Sequence, residues 1–278
     1  MQVLTEAEWR EREAAHEARV DTLVSDHLAR RRAGVPHPVH DFLFTYYSFR
    51  PAQLRRWHPG YGVVLAGRES EAQTAGDVEA RRSLVDGIHA LLSATAGRAA
   101  NFGCFGLHEW AMVYRQSQDE TRHAAWPLRL GEVGTDAVVD SHRIACSHFD
   151  AFRFFTEAAR PLNTLSPAPH DRPAFEQPAC LHAGMDLYKH AFRLSPLVPS
   201  ELVVDCFELA RDIRVLDMRA APYDLTDLGL EPVRIETPEG KHEYATAQRV
   251  FAERGRSQRA QLLAACDLLL AVPGYIER

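Results

Sequence analysis

Leu84, Ile88, Leu91 and Leu92 recur at the three- and four-residue spacing of one helix face, which predicts a helix from about Val78 to Thr95. Thr5 is placed to cap an earlier helix over about Glu6 to Arg32, ended by Gly34, Pro36 and Pro38. An aromatic run, His40 to Phe49, follows. Pro51 then opens a short helix closed by Pro59-Gly60, and Val63–Leu65 reads as a short strand. Cys104–Tyr114 predicts another helix. Leu128–Leu130 and Val138-Val139, with Gly131 and Gly134 between them, predict a small hairpin. Phe149, Phe152 and Phe155 share a face of a predicted helix over Ala145–Ala159. Helices are predicted near Pro178–Leu194 and Pro199–Arg219, a strand at Val233–Ile235, and one or two closing helices over Ala245–Ala271. The expected fold is mainly α, a single helical domain over residues 1–278 with minor β. Residues 161–178 are too proline-rich for a regular element and are expected to form an ordered loop or lid.

Composition narrows the class. Hydrophobic residues make up 46% of the 278, enough to bury a core. A net charge of −6 argues against a general affinity for nucleic acid. The five cysteines form no CxxC pair, the N-terminus is polar, and no apolar run has the length of a membrane span. The expectation is a cytoplasmic protein with no membrane partner. Histidine is the outlier, with 14 copies.

Those histidines carry the candidate chemistry. His182, Asp186 and His190 fall at i, i+4 and i+8 on one predicted helix. Two imidazoles and a carboxylate suit iron, zinc or manganese, although a helix rises about 12 Å over eight residues, so one ion takes only a neighbouring pair. His108, beside Glu109, is a further candidate ligand; residue 112 is Met, so no HExxH motif is formed. His148, near Cys146 and on the phenylalanine face, reads as a ligand, a general base or a buried neutral histidine; Asp150 is a further catalytic candidate, with an ion pair to Arg153 as the alternative. Asp205, Glu208 and Asp212 form an acidic stripe, of which Glu208 is the candidate catalytic member; the alternative is a solvated face paired with arginines. Tyr46, Tyr47, Arg50, Trp57 and Trp110 offer rings and charge for a substrate. His40-Asp41 matches only the dipeptide of HD-domain metalloenzymes. For each histidine the competing reading is a neutral core residue.

The stretches His40–Trp57, Asn101–Arg115, Cys146–Asn163 and Cys180–Asp217 resemble an actinobacterial family described as 3-methyladenine DNA glycosylases. The resemblance covers most of the chain. It implies removal of alkylated purines by base flipping into an aromatic pocket, with a carboxylate assisting water; it assigns no catalytic residue, and Asp186 and Asp217 are carboxylates that this chain has available. The helix-hairpin-helix glycine turn of the best-known glycosylases is missing here.

The residues themselves favour a metal-dependent enzyme acting on a small molecule, either oxygenase-like or hydrolase-like. DNA glycosylase is the alternative, with DNA as partner, and a metal-free binding or scaffold protein is the third reading.

Overall fold

Thr5 and Glu8 satisfy each other's backbone amides at 3.4 and 2.8 Å, a reciprocal cap that starts α1 (Glu6–Ala33). Gly34, at φ 68°, ends it in the left-handed conformation. The computed structural model describes residues 1–273. Their packing separates the chain into two compact units, and the architecture is mainly α.

The first unit comprises, among the described residues, 1–93, 186–211 and 257–273. Trp9, His16, Val20, Val24 and His27 form the buried stripe of α1, at helical spacing. Strand β1 (Gln2–Leu4) pairs in parallel with β2 (Val63–Leu65), placing Leu4 opposite Leu65, and Trp9 and Trp57 pack on that pair. Between the strands lie α2 (Phe42–Tyr46) and α3 (Pro51–Arg55), the latter opened by its proline. After β2 come α4 (Ala75–Glu79) and α5 (Arg82–Ala96). The sequence predicted one helix across 78–95. Instead Thr74 caps α4 through Asp77, and α5 starts anew with Val85, Ile88 and Leu92 buried.

The second unit comprises residues 94–185 and 212–256. It holds α6 (Leu107–Ala111), α7 (Gly131–Asp140), α8 (Phe149–Phe152) and α9 (Arg172–Phe175). It also takes the first part of α10 (Leu181–Leu194), the end of α11 (Ser200–Ala220) and the first half of α12 (Pro238–Leu270). The predicted hairpin at 128–139 is not formed: α7 occupies its second half. Thr135, Val138 and Val139 are buried at helical spacing there, and Thr135 returns its hydroxyl to the Gly131 carbonyl at 2.7 Å. Leu128 makes only an isolated bridge to Tyr223. The predicted phenylalanine helix shrinks to the single turn of α8. Val233–Ile235 is a turn-forming segment rather than a strand; the Val233 amide is spent on the Arg219 carbonyl. The closing helix is one element that starts at Pro238, seven residues before the predicted range.

The proline-rich segment at 161–178 belongs to the second unit. It contains α9, and Glu176 and Gln177 are buried. Arg98 donates to the carbonyls of Glu176 and Pro173 at 2.6 and 2.9 Å, and the Asn101 amide donates to Gln177 at 2.9 Å. Among the described residues, no helix is long and apolar enough to cross a membrane.

Candidate functional site

Two successive residues with positive φ, Phe105 at 47° and Gly106 at 72°, turn the chain sharply after Cys104. A side chain at φ near 50° costs free energy outside glycine, so the turn is held by its surroundings. It launches α6 with His108 and Glu109 directed into the second unit, where both are buried. The end of α11 lies against them and presents Arg214 and Asp217, one turn apart.

The four side chains form a continuous polar chain. His108 Nε2 donates to Asp217 Oδ1 at 2.9 Å, since an ionised carboxylate only accepts. Arg214 Nη1 donates to the other oxygen of Asp217 at 3.0 Å and to Glu109 at 2.9 Å. His182, in the first turn of α10, sets its ring edge-on to His108, with centroids 4.5 Å apart. One donor atom from each of His108, His182 and Asp217 lies within 4.8 Å of the other two. Cys104 Sγ sits 3.7 Å from His108 Nδ1, on the side of the ring away from Asp217.

Burial disfavours charge on every member, yet the members differ in outcome. His108 is pushed down by desolvation, but the Asp217 carboxylate outweighs this and holds it well above the usual imidazole value. Burial pushes Asp217 up; the His108 charge and hydrogen bond win and hold it well below the carboxylate range. In Glu109 burial prevails over Arg214 and raises the carboxyl. His182 is lowered well below its ordinary value, first by burial and then by the neighbouring His108 charge. It is therefore the neutral imidazole, the form that binds metals. Burial likewise keeps Cys146 and Cys180 as neutral thiols.

A small cavity of about 10 Å³ opens beside His108 and His182, the room of one water molecule. Its wall includes Cys104, His108, Cys180, His182, Tyr244 and Gln248. His148 is a further neighbour of His182, its ring tilted by 30° with the centroids 5.3 Å apart. Its Nε2 is 3.5 Å from Glu176, and Arg172 links Glu176 to Asp150, 4.0 Å away.

Of the predicted site residues, the second unit thus gathers His108, His182, His148 and Asp150. Asp186 and His190 belong to the first unit, where both are buried and Asp186 accepts from Tyr47 Oη at 2.9 Å and Lys189 at 3.2 Å. Glu208 is also there, sharing Arg19 with Asp205 at 2.9 and 2.7 Å, so two acids of the stripe form a partly exposed ion-pair face. Asp212 pairs with Arg254 at 2.8 Å. Asp41 is occupied by His27 at 2.7 Å and Arg30 at 3.3 Å.

Each predicted substrate residue other than Arg50 is hydrogen-bonded to, or packed on, another group of the protein. Trp110 is fully buried and donates to the Ala220 carbonyl at 2.8 Å; Trp57 is buried and donates to Glu201 at 3.0 Å. Tyr46 stacks on Phe42 at 5.0 Å, and Arg50 is the exposed residue before α3.

Sequence reasoning did not pair Asp217 with His108, and it passed over Tyr244 and Gln248. The available signals were a lone acid among Leu216, Met218 and Ala220, and a Tyr–Gln pair at i, i+4. Compared with protein-family models, with curated proteins and with solved structures, the chain matches none.

Proposed function

We propose that this protein is a metal-dependent enzyme acting on a small molecule, with His108, His182 and Asp217 as the donor set. One observation carries the reading: two imidazoles and a carboxylate from three helices converge within 4.8 Å at the edge of a cavity. Two nitrogen donors and one oxygen donor suit iron, zinc or manganese and leave positions open. Such an ion, when bound, supplies Lewis acidity beside the cavity. The protein supplies the rest. His182 is already neutral, Arg214 fixes the second oxygen of Asp217, and Glu109 offsets the arginine charge. His108 must surrender the proton it shares with Asp217, so loading weakens as pH falls.

Elemental mass spectrometry on untagged protein tests this. About one ion per chain is expected in the wild type, and loss of it in His182→Ala/Asp217→Ala. Wild-type protein that stays empty after anaerobic reconstitution with iron, zinc and manganese overturns the reading; release of methylated purines from alkylated DNA is then the activity to assay.

The contact between Cys104 and His108 favours a second reading. A thiol at 3.7 Å from one ring nitrogen, with a carboxylate at 2.9 Å on the other, has the nucleophile–base–orienter order of covalent hydrolysis. Covalent labelling by a thiol-directed ester that Cys104→Ser abolishes, in metal-free protein, supports it over the first.

A further inference from the structure

Tyr244 and Gln248 stand four residues apart on one face of α12, and both are wholly buried. Both line the cavity shared with His108 and His182. Each brings a polar atom that finds no hydrogen-bond partner among the described residues: Tyr244 Oη and Gln248 Oε1. A buried polar group left unsatisfied is costly, and the cavity of about 10 Å³ beside these two has the room of one water molecule.

The orientation of Gln248 is fixed by chemistry. Its Nε2 donates to the Ala179 carbonyl at 2.7 Å, and a carbonyl only accepts, so Oε1 is the atom left over. Gly106 packs under Tyr244: a Cβ there would lie 3.4 Å from Cε2 and 3.7 Å from Oη. Burial pushes the phenol well above its ordinary value, so Tyr244 remains a donor. The cavity therefore offers one hydroxyl to give a hydrogen bond and one carbonyl to receive one.

We propose that Tyr244 and Gln248 are positioning residues that seat a single water molecule beside the His108–His182–Asp217 cluster, so that the reaction is a hydrolysis. The inference rests on the metal reading above and chooses within it. A guest must accept from Tyr244 and donate to Gln248, in a space of one heavy atom. Water and hydroxide do both. Dioxygen donates nothing and leaves the Gln248 carbonyl unsatisfied. In a hydrolysis this water would be the nucleophile toward a carbon or phosphorus brought to the mouth of the cavity: its oxygen forms the new bond, the bond to the leaving group breaks, and the water's two protons go to the leaving group and to solvent.

Fluoride is the probe, because it matches hydroxide in size but only accepts. Cobalt-loaded protein is titrated with fluoride at fixed pH and ionic strength, following the visible cobalt bands. Gln248→Met, which removes the competing acceptor while keeping the shape, is expected to tighten fluoride about tenfold. Tyr244→Phe, which removes the donor, is expected to weaken it about tenfold. Opposite shifts from neighbouring residues are not the mark of a general structural effect. Stoichiometric cobalt with fluoride affinities within about twofold in both variants overturns this inference and leaves the metal reading intact. Failure of wild-type protein to bind cobalt at all overturns both. If Gln248→Met does not fold, Tyr244→Phe decides alone: unchanged fluoride affinity overturns the seat.

Discussion

Asp217 is wholly buried and touches both a histidine and an arginine, so its charge is the hinge of the second unit's polar chain. Removing one member of a buried ionic network leaves the others desolvated and uncompensated. Asp217→Asn is therefore expected to cost about 3–5 kcal/mol, read as a lower urea midpoint. Asp212→Asn removes an ion pair that is about a third exposed and is expected to cost no more than about 1 kcal/mol. Equal losses in the two variants would contradict the buried network. The contrast was not visible along the chain: Asp212 and Asp217 share α11, and both lie among apolar residues. What separates them is which neighbour arrives from elsewhere, Arg254 in one case and His108 in the other.

At the scale of elements, turns and caps decide where helices begin. Thr5→Ala removes the hydroxyl that accepts from the Glu8 amide and is expected to cost about 1 kcal/mol in thermal unfolding. Gly34 and Gly106 both hold positive φ, at 68° and 72°. A Cβ at Gly34 meets nothing within 4 Å, whereas one at Gly106 meets Ala220 and Tyr244 at 3.4 Å. Gly34→Ala is expected to cost about 1 kcal/mol, the strain of a left-handed alanine. Gly106→Ala carries that strain and displaces Tyr244 as well, so its loss should be larger; an equal or smaller loss would show that the close approach is unimportant. The glycines at 131 and 134 teach the converse. They read as a hairpin turn, yet buried Thr135, Val138 and Val139 pull the segment into α7, because packing outweighs a local turn preference.

For the whole molecule, histidine burial predicts the response to acid. Burial lowers His37, His58 and His123 to about 4 in the folded chain, with nearby charges adding to it. Unfolded, each returns to the ordinary value of about 6.5 and binds a proton the folded state refuses. Their contribution is thus fully present above about pH 6.5 and is lost as pH falls from there through about 4. Thermal midpoints measured across that window should fall with acidity. His58→Gln should flatten the slope; a slope unchanged in that variant would place the proton uptake elsewhere.

Helix content, the Thr5 cap, the Val63–Leu65 strand and the spans of α1, α10 and α11 were legible in the sequence, because each follows from local periodicity and end residues. So was the histidine-rich character of the chain, and with it His108 and His182 as candidates. Their partner was not. Spacing on a single helix put Asp186 with His182, since i and i+4 are neighbours on any helix. The folded chain gives Asp186 to Tyr47 and Lys189, and brings Asp217 to His108 from a residue 109 positions away. Periodicity determines which face of a helix is buried; which polar groups meet on that face is decided by the packing of several helices, and that exists only in the tertiary structure.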